Sequence, residues 1–119
     1  MTLELPWPPT ANNLHAVVRG RKVLSRKGRE YRAQAAAQLA MQAAPRLGDA
    51  RLAITLTLHP PDRRRRDIAN SEKAAIDALV YAGVLHDDSQ IDRLTIVRAD
   101  PRPGGALTVT LEEIGRTRK

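Results

Sequence analysis

The run from Leu52 to Leu58 constrains this chain more than any other stretch. Leu52, Ile54, Leu56 and Leu58 alternate with Ala53, Thr55 and Thr57. Successive side chains on a strand point to opposite faces, so this period-two pattern presents four branched apolar groups on one side. Such a strand has to pair within a sheet and have its apolar side covered. Pro60-Pro61 stops it.

The remaining segments supply partners and cover. Leu3, Leu5 and Trp7 alternate with Thr2, Glu4 and Pro6, which reads as a short strand, and Pro6 points to a sheet edge. Pro8, Pro9, Asn12 and Asn13 mark a loop. Val17-Val18, Arg19-Gly20 and Lys22-Val23-Leu24 read as a small hairpin with Arg21 and Lys22 at its basic tip. Ser25 is placed to cap a helix running toward Ala44, with Tyr31, Ala35 and Leu39 on one face. A second helix is expected over residues 67–82, with Ile68, Ala75, Ile76 and Leu79 near one face and Gly83 as its C-terminal cap. A strand near Leu94–Arg98 and a last strand carrying Leu107, Val109 and Leu111 follow. The short connection between them predicts an antiparallel hairpin. The basic tail Gly115–Lys119 reads as frayed.

These elements predict one α+β domain over residues 1–119. It has a single mixed sheet of about four main strands with two helices packed on it, plus a small N-terminal hairpin. The 119 residues include no Phe, one Trp and two Tyr, so the core must come from Leu, Ile, Val and Ala. A core of small side chains is modest at this length, and a second copy would add burial.

Twenty Lys and Arg face thirteen Asp and Glu, a net charge of +7. That field favours a polyanion, nucleic acid first. The absence of Cys excludes disulfides, zinc–thiolate sites and thiol nucleophiles, and fits the cytoplasm. The opening MTLELPWPPT lacks the basic and apolar regions of a signal peptide, and no apolar run reaches the length of a membrane span.

Chemistry concentrates between Asp62 and Asp88. Arg63, Arg64, Arg65 and Arg66 run directly into Asp67. Four adjacent guanidinium groups repel one another, an arrangement that becomes favourable beside phosphates. Asp67 stands where a helix N-cap belongs. Asn70 can support the helix start or contact a phosphate. Lys73 has Asp77 at i+4 for an ion pair, or can neutralise charge at a scissile phosphate. Asp87 and Asp88 follow the helix, where the chain can fold back. Carboxylates beside a basic surface suit Mg²⁺, which takes oxygen ligands and can activate water for attack on a phosphodiester. His15, His59 and His86 have no metal-binding spacing, although His86 adjoins the acidic turn. No Ser-centred elbow, P-loop or dinucleotide fingerprint occurs.

The segment PDRRRRDIANSEKAAIDALVYAGVLHDDSQI, together with LPWPPTANN near the start, resembles the RusA-type Holliday junction resolvases. The resemblance implies an α+β homodimer that binds four-way DNA junctions and makes paired nicks with Mg²⁺, or with Mn²⁺ in its place. It further implies that Asp67, Asp88 and Lys73 are catalytic and that Asp67, Asp87 and Asp88 hold metal. DNA contacts are implied for Asn12, Asn13, Arg21, Lys22, Arg63, Arg64, Arg65, Arg66, Asn70 and Lys73. One position departs: the family motif carries a second Asp two residues after the first, and here that place is Ala69. Alanine coordinates nothing, so cleavage should be impaired while DNA binding survives. A substituted active parent and a naturally divergent member both fit this loss. The alternative is a non-catalytic, structure-selective DNA-binding protein. An RNA-binding role is disfavoured by the scarcity of aromatics for base stacking.

Overall fold

The computed structural model describes residues 1–116. Its elements are β1 (Thr2–Leu5), α1 (Ala11–Leu14), β2 (His15–Val18), β3 (Arg21–Leu24), α2 (Arg26–Met41) and β4 (Ala50–His59). After these come a 3₁₀ turn (Ile68–Ser71), α3 (Glu72–Tyr81), a second 3₁₀ turn (Asp88–Gln90), β5 (Ile91–Arg98) and β6 (Ala106–Arg116). Four strands form one mixed sheet in the order β1-β6-β4-β5, and β2 with β3 form a separate hairpin.

The alternating run is β4, and it lies inside the sheet with β5 parallel on one side and β6 antiparallel on the other. Ile54 pairs with Leu111, Leu56 with Val109 and Leu58 with Leu107. All six are buried. Leu3 and Leu5 of β1 extend the same apolar face, since they pair with Val109 and Leu107. The opposite face carries Thr55 paired with Thr110 and Thr57 with Thr108. The helices cover the apolar face with Tyr31, Ala35 and Leu39 from α2 and Ala74, Ala75, Ala78 and Leu79 from α3. Burying that face is the main force assembling the fold.

The expected edge position of β1, the α+β class and the separate hairpin match the structure. The hairpin turns at Arg19 (φ 53°) and Gly20 (φ 75°), the pair of positive φ values that a two-residue antiparallel turn requires. Ser25 caps α2 by accepting from the Gly28 amide at 3.0 Å.

Several expectations need correction. The last two strands do not form a hairpin: they lie on opposite sides of β4. The connection that decides β5's place is the one before it, because β4–α3–β5 is a parallel crossover unit. Residues 99–105 then pass the end of β4, with Ala99 donating to the Leu58 carbonyl and Arg102 to that of Pro60. The second helix is α-helical only from Glu72, since residues 68–71 wind as a 3₁₀ turn. The first long helix ends at Met41 rather than Ala44, with Ala43 at φ 53° ahead of Pro45. Asn12 and Asn13 sit in the single helical turn α1 rather than a loop. That turn is held by the Asn13 amide donating to the Thr10 carbonyl and the Asn13 carbonyl accepting from the Ser25 hydroxyl. Gly115 and Arg116 of the supposedly frayed tail belong to β6; the rest of that tail lies outside the described residues.

Candidate active site

The arginine loop leaves the end of β4 and is shaped by Asp62. One Asp62 carboxylate oxygen accepts from the Arg64 amide at 2.8 Å and from Arg66 Nη1 at 2.8 Å. Arg66 Nη1 also donates to the Asp62 carbonyl at 3.2 Å. The bond from Arg66, then that from the Arg64 backbone, lowers the Asp62 carboxyl from its ordinary value to about 2. Arg98, at the end of β5, donates to the Arg66 carbonyl at 2.6 Å. The loop is thereby fastened through both the side chain and the backbone of Arg66. Arg63 and Arg65 are exposed and make no ion pair or side-chain hydrogen bond among the described residues.

Asp67 caps the 3₁₀ turn, accepting from the Ala69 amide at 3.1 Å. Its capping role is therefore real, although it caps a 3₁₀ turn and not an α-helix. Asp67 and Asn70 line a hollow of about 240 Å³ with Trp7, Arg65, Arg66 and Arg98. Ala69 is exposed beside it. Positions 69 and 73 do not lie on one α-helix, because residues 68–71 wind as a 3₁₀ turn.

Lys73 stands at the start of α3, paired with Asp77 at 3.5 Å through exposed side chains. Lys73, Asp77 and Asp88 line a second hollow, so the chain does fold back to bring Asp88 to the start of α3. Asp87 faces a third hollow together with Asp88, Asp77 and His15. Hydrogen bonds from Ser89, side chain first and then backbone, hold the Asp87 carboxyl below its ordinary value. Asn12, Asn13, Arg21 and Lys22 are exposed, and none lines the hollow that holds Asp67.

The acidic turn owes its shape to Gln90, which is 4% exposed. Its Oε1 accepts from the amides of His86 (2.8 Å) and Asp87 (3.0 Å), and its Nε2 donates to the carbonyls of Gly48 (2.9 Å) and Ala50 (2.8 Å). One amide group thus ties Asp87-Asp88 to the start of β4. His86 contributes its backbone to this arrangement.

Sequence reasoning missed Trp7, Asp62, Gln90 and Arg98 as parts of the site. Asp62 and Arg66 do carry a signal, the i,i+4 spacing of opposite charges. Gln90 carries one too, the capping-box spacing three residues after Asp87; Arg98 carries none, because its partner is 32 residues away.

Divalent ions such as Mg²⁺ take oxygen ligands. Among the described residues no three His, Asp or Glu side chains stand together to hold an ion. Asp67 and Asp88 line different hollows.

The family model "Endodeoxyribonuclease RusA" matches residues 6–112. The crossover junction endodeoxyribonuclease RusA of Escherichia coli (strain K12) is 39% identical over 115 residues, which cover 96% of this chain and 95% of that protein. The protein of the same description from Enterobacteria phage 82 is 38% identical over 114 residues, 95% and 94% of the two chains. This chain belongs to the RusA family.

Proposed function

We propose that this chain binds four-way DNA junctions as a homodimer in the cytoplasm, and that it is a junction endodeoxyribonuclease whose turnover is held down by Ala69. The observation that carries this reading is the sharing of one hollow by Asp67, Asn70, Arg65 and Arg66, with Lys73 and Asp88 together in another. Arg63 and Arg65, uncommitted among the described residues, take phosphates on the approach. The Asn70 amide donates to a phosphate oxygen. Lys73 neutralises charge at the phosphate to be cut; its exposed pairing with Asp77 is weak and readily exchanged for a phosphate.

Mg²⁺, with Mn²⁺ as substitute, belongs to the proposal as the ion that a complete carboxylate set would hold. Two carboxylates, Asp67 and Asp88, remain for it, with the acidic neighbour Asp87 engaged by Ser89. Paired nicks on a symmetric junction require two sites, hence two copies, and the modest core gives a second copy apolar surface to cover. No helix among the described residues is long and apolar enough to cross a membrane.

The deciding experiment compares this chain with Ala69→Asp on a labelled four-way junction in Mg²⁺. Restored nicking supports the reading. A second reading, a junction binder without catalysis, is favoured by Ala69 in place of the motif's second carboxylate; it requires Ala69→Asp to bind junctions and leave them intact.

A further inference from the structure

We propose that the Trp7 hollow is a nucleobase site, which takes a base unstacked at the branch point of the junction. The inference rests on the proposed junction-binding function and adds to it a named contact for the DNA.

Trp7 lies beyond the end of β1, half-buried against the core. The backbone of Gly105 (φ 75°) presses on the indole, since a Cβ at Gly105 would lie 2.8 Å from Trp7 Cβ and 2.9 Å from Cγ. No Cβ fits there without a shift of Trp7, so glycine lets the backbone lie close against the ring. The indole faces a hollow of about 240 Å³ whose apolar lining includes Pro8, Pro60 and Ile68. Arg65, Arg66 and Arg98 line the same hollow. Arg66 stands over the ring at 5.9 Å from its centroid, the loose end of the range for such pairs. A flat aromatic group carrying a phosphate matches this mixture: the ring and apolar wall take the base, and the guanidinium groups take the phosphate.

The hollow's position makes the base an unstacked one. Asp67 and Asn70 line it too, so a base held here belongs to a nucleotide next to the site itself. Inside a duplex such a base would be stacked on its neighbours, and withdrawing it is costly; at a branch point stacking is already interrupted and the cost falls. The neighbouring Arg63–Asp100 hollow has arginines without an aromatic ring, and it suits phosphate alone.

Trp7 is the single Trp of the chain, so its emission reports on this hollow without a label. The full chain is titrated in EDTA with a four-way junction, the same junction lacking the bases that flank the branch point, a linear duplex, and a deoxynucleoside monophosphate. Binding is followed separately by anisotropy of dye-labelled DNA. Stacking on the indole should lower emission roughly twofold with the intact junction and leave it nearly unchanged with the other three. Trp7→Leu should weaken intact-junction binding about tenfold, with Trp7→Phe restoring most of it, and should have no effect on the junction lacking those bases. Unchanged emission at saturation, or equal quenching by duplex, by the base-lacking junction or by free nucleotide, overturns the nucleobase site. These wild-type readings decide the matter even if Trp7→Leu does not fold. Loss of the preference for four-way over linear DNA in the anisotropy arm instead overturns the functional reading beneath it.

Discussion

The guanidinium of Arg98 donates to the backbone carbonyl of Arg66 across 2.6 Å, joining the end of β5 to the residue just before Asp67. Arg98 therefore fixes the direction in which the chain enters the 3₁₀ turn. Its exposed side chain makes it a small contributor to stability and a larger one to the aim of the loop. Replacing it with leucine should lower unfolding free energy by less than about 1 kcal/mol while weakening junction binding by roughly threefold to tenfold. Urea denaturation and anisotropy on the same preparation check the split. A large stability loss with unchanged affinity would show the contact to be structural only.

Ala69→Asp should raise Mg²⁺-dependent nicking of a four-way junction by about a hundredfold or more, because a divalent ion gains a carboxylate beside Asp67. Junction affinity in EDTA should fall slightly, since a negative charge is added near phosphates. Gel analysis of nicked strands gives the first quantity and anisotropy the second. Nicking that stays at the level of the present chain would remove position 69 from the site.

Arg63 and Arg65 differ from Arg66 in having no ion pair among the described residues to give up. Each should lower junction affinity on conversion to Ala and reduce the slope of log affinity against log salt by about 1. Arg66→Ala should act differently, because it also releases Asp62 and removes the guanidinium near Trp7. Identical salt slopes for all three variants would contradict that distinction.

The Asp62 carboxyl, lowered to about 2 by Arg66 and Arg64, contributes its clamp above the ordinary Asp pKa. A lowered folded-state pKa means that this contribution is lost as pH falls from roughly 4 toward 2. Carboxyl-detected NMR should find the Asp62 midpoint near 2. In Arg66→Ala that midpoint should rise toward the ordinary Asp range. A midpoint already in that range in the unsubstituted chain would mean that the pair does not form in solution.

Gln90→Leu removes an amide that satisfies two amides and two carbonyls at a buried position. Leaving such groups unpaired should cost about 1–3 kcal/mol or more in urea denaturation. The turn carrying Asp87 and Asp88 should also exchange its amide hydrogens faster. A neutral stability change would place water in the role of the side chain.

The sheet, both long helices and the hairpin were legible because local pattern determines them. The β4 alternation, the Ser25 cap and the Arg19-Gly20 turn are each read from neighbouring residues. The placement of β5 was not legible from its loop length, since it follows from how α3 carries the chain back alongside β4. The 3₁₀ winding at residues 68–71 was hidden for a similar reason: Asp67 signals a cap without fixing which kind of turn follows. For the site, the residues from Arg63 to Asp88 stand out in sequence, and the resemblance supplied their roles. Arg98 and the approach of Trp7 to Arg66 do not, because each acts on a segment brought near only by tertiary folding.

The pairing of β1 with β6 joins Thr2 to Thr110 and Leu5 to Leu107, the first strand to the last. A chain emerging from the ribosome cannot form this contact until Ala106–Arg116 has been made. Until then β1 has no partner and the free side of β4 stays open, with Leu3, Leu5, Ile54 and Leu56 lacking their neighbours. Folding should therefore be a single late event that depends on contacts distant in sequence, and so comparatively slow. A chain cut before Ala106 should neither fold nor display the arginine loop in binding form, which delays DNA engagement until β6 has been made.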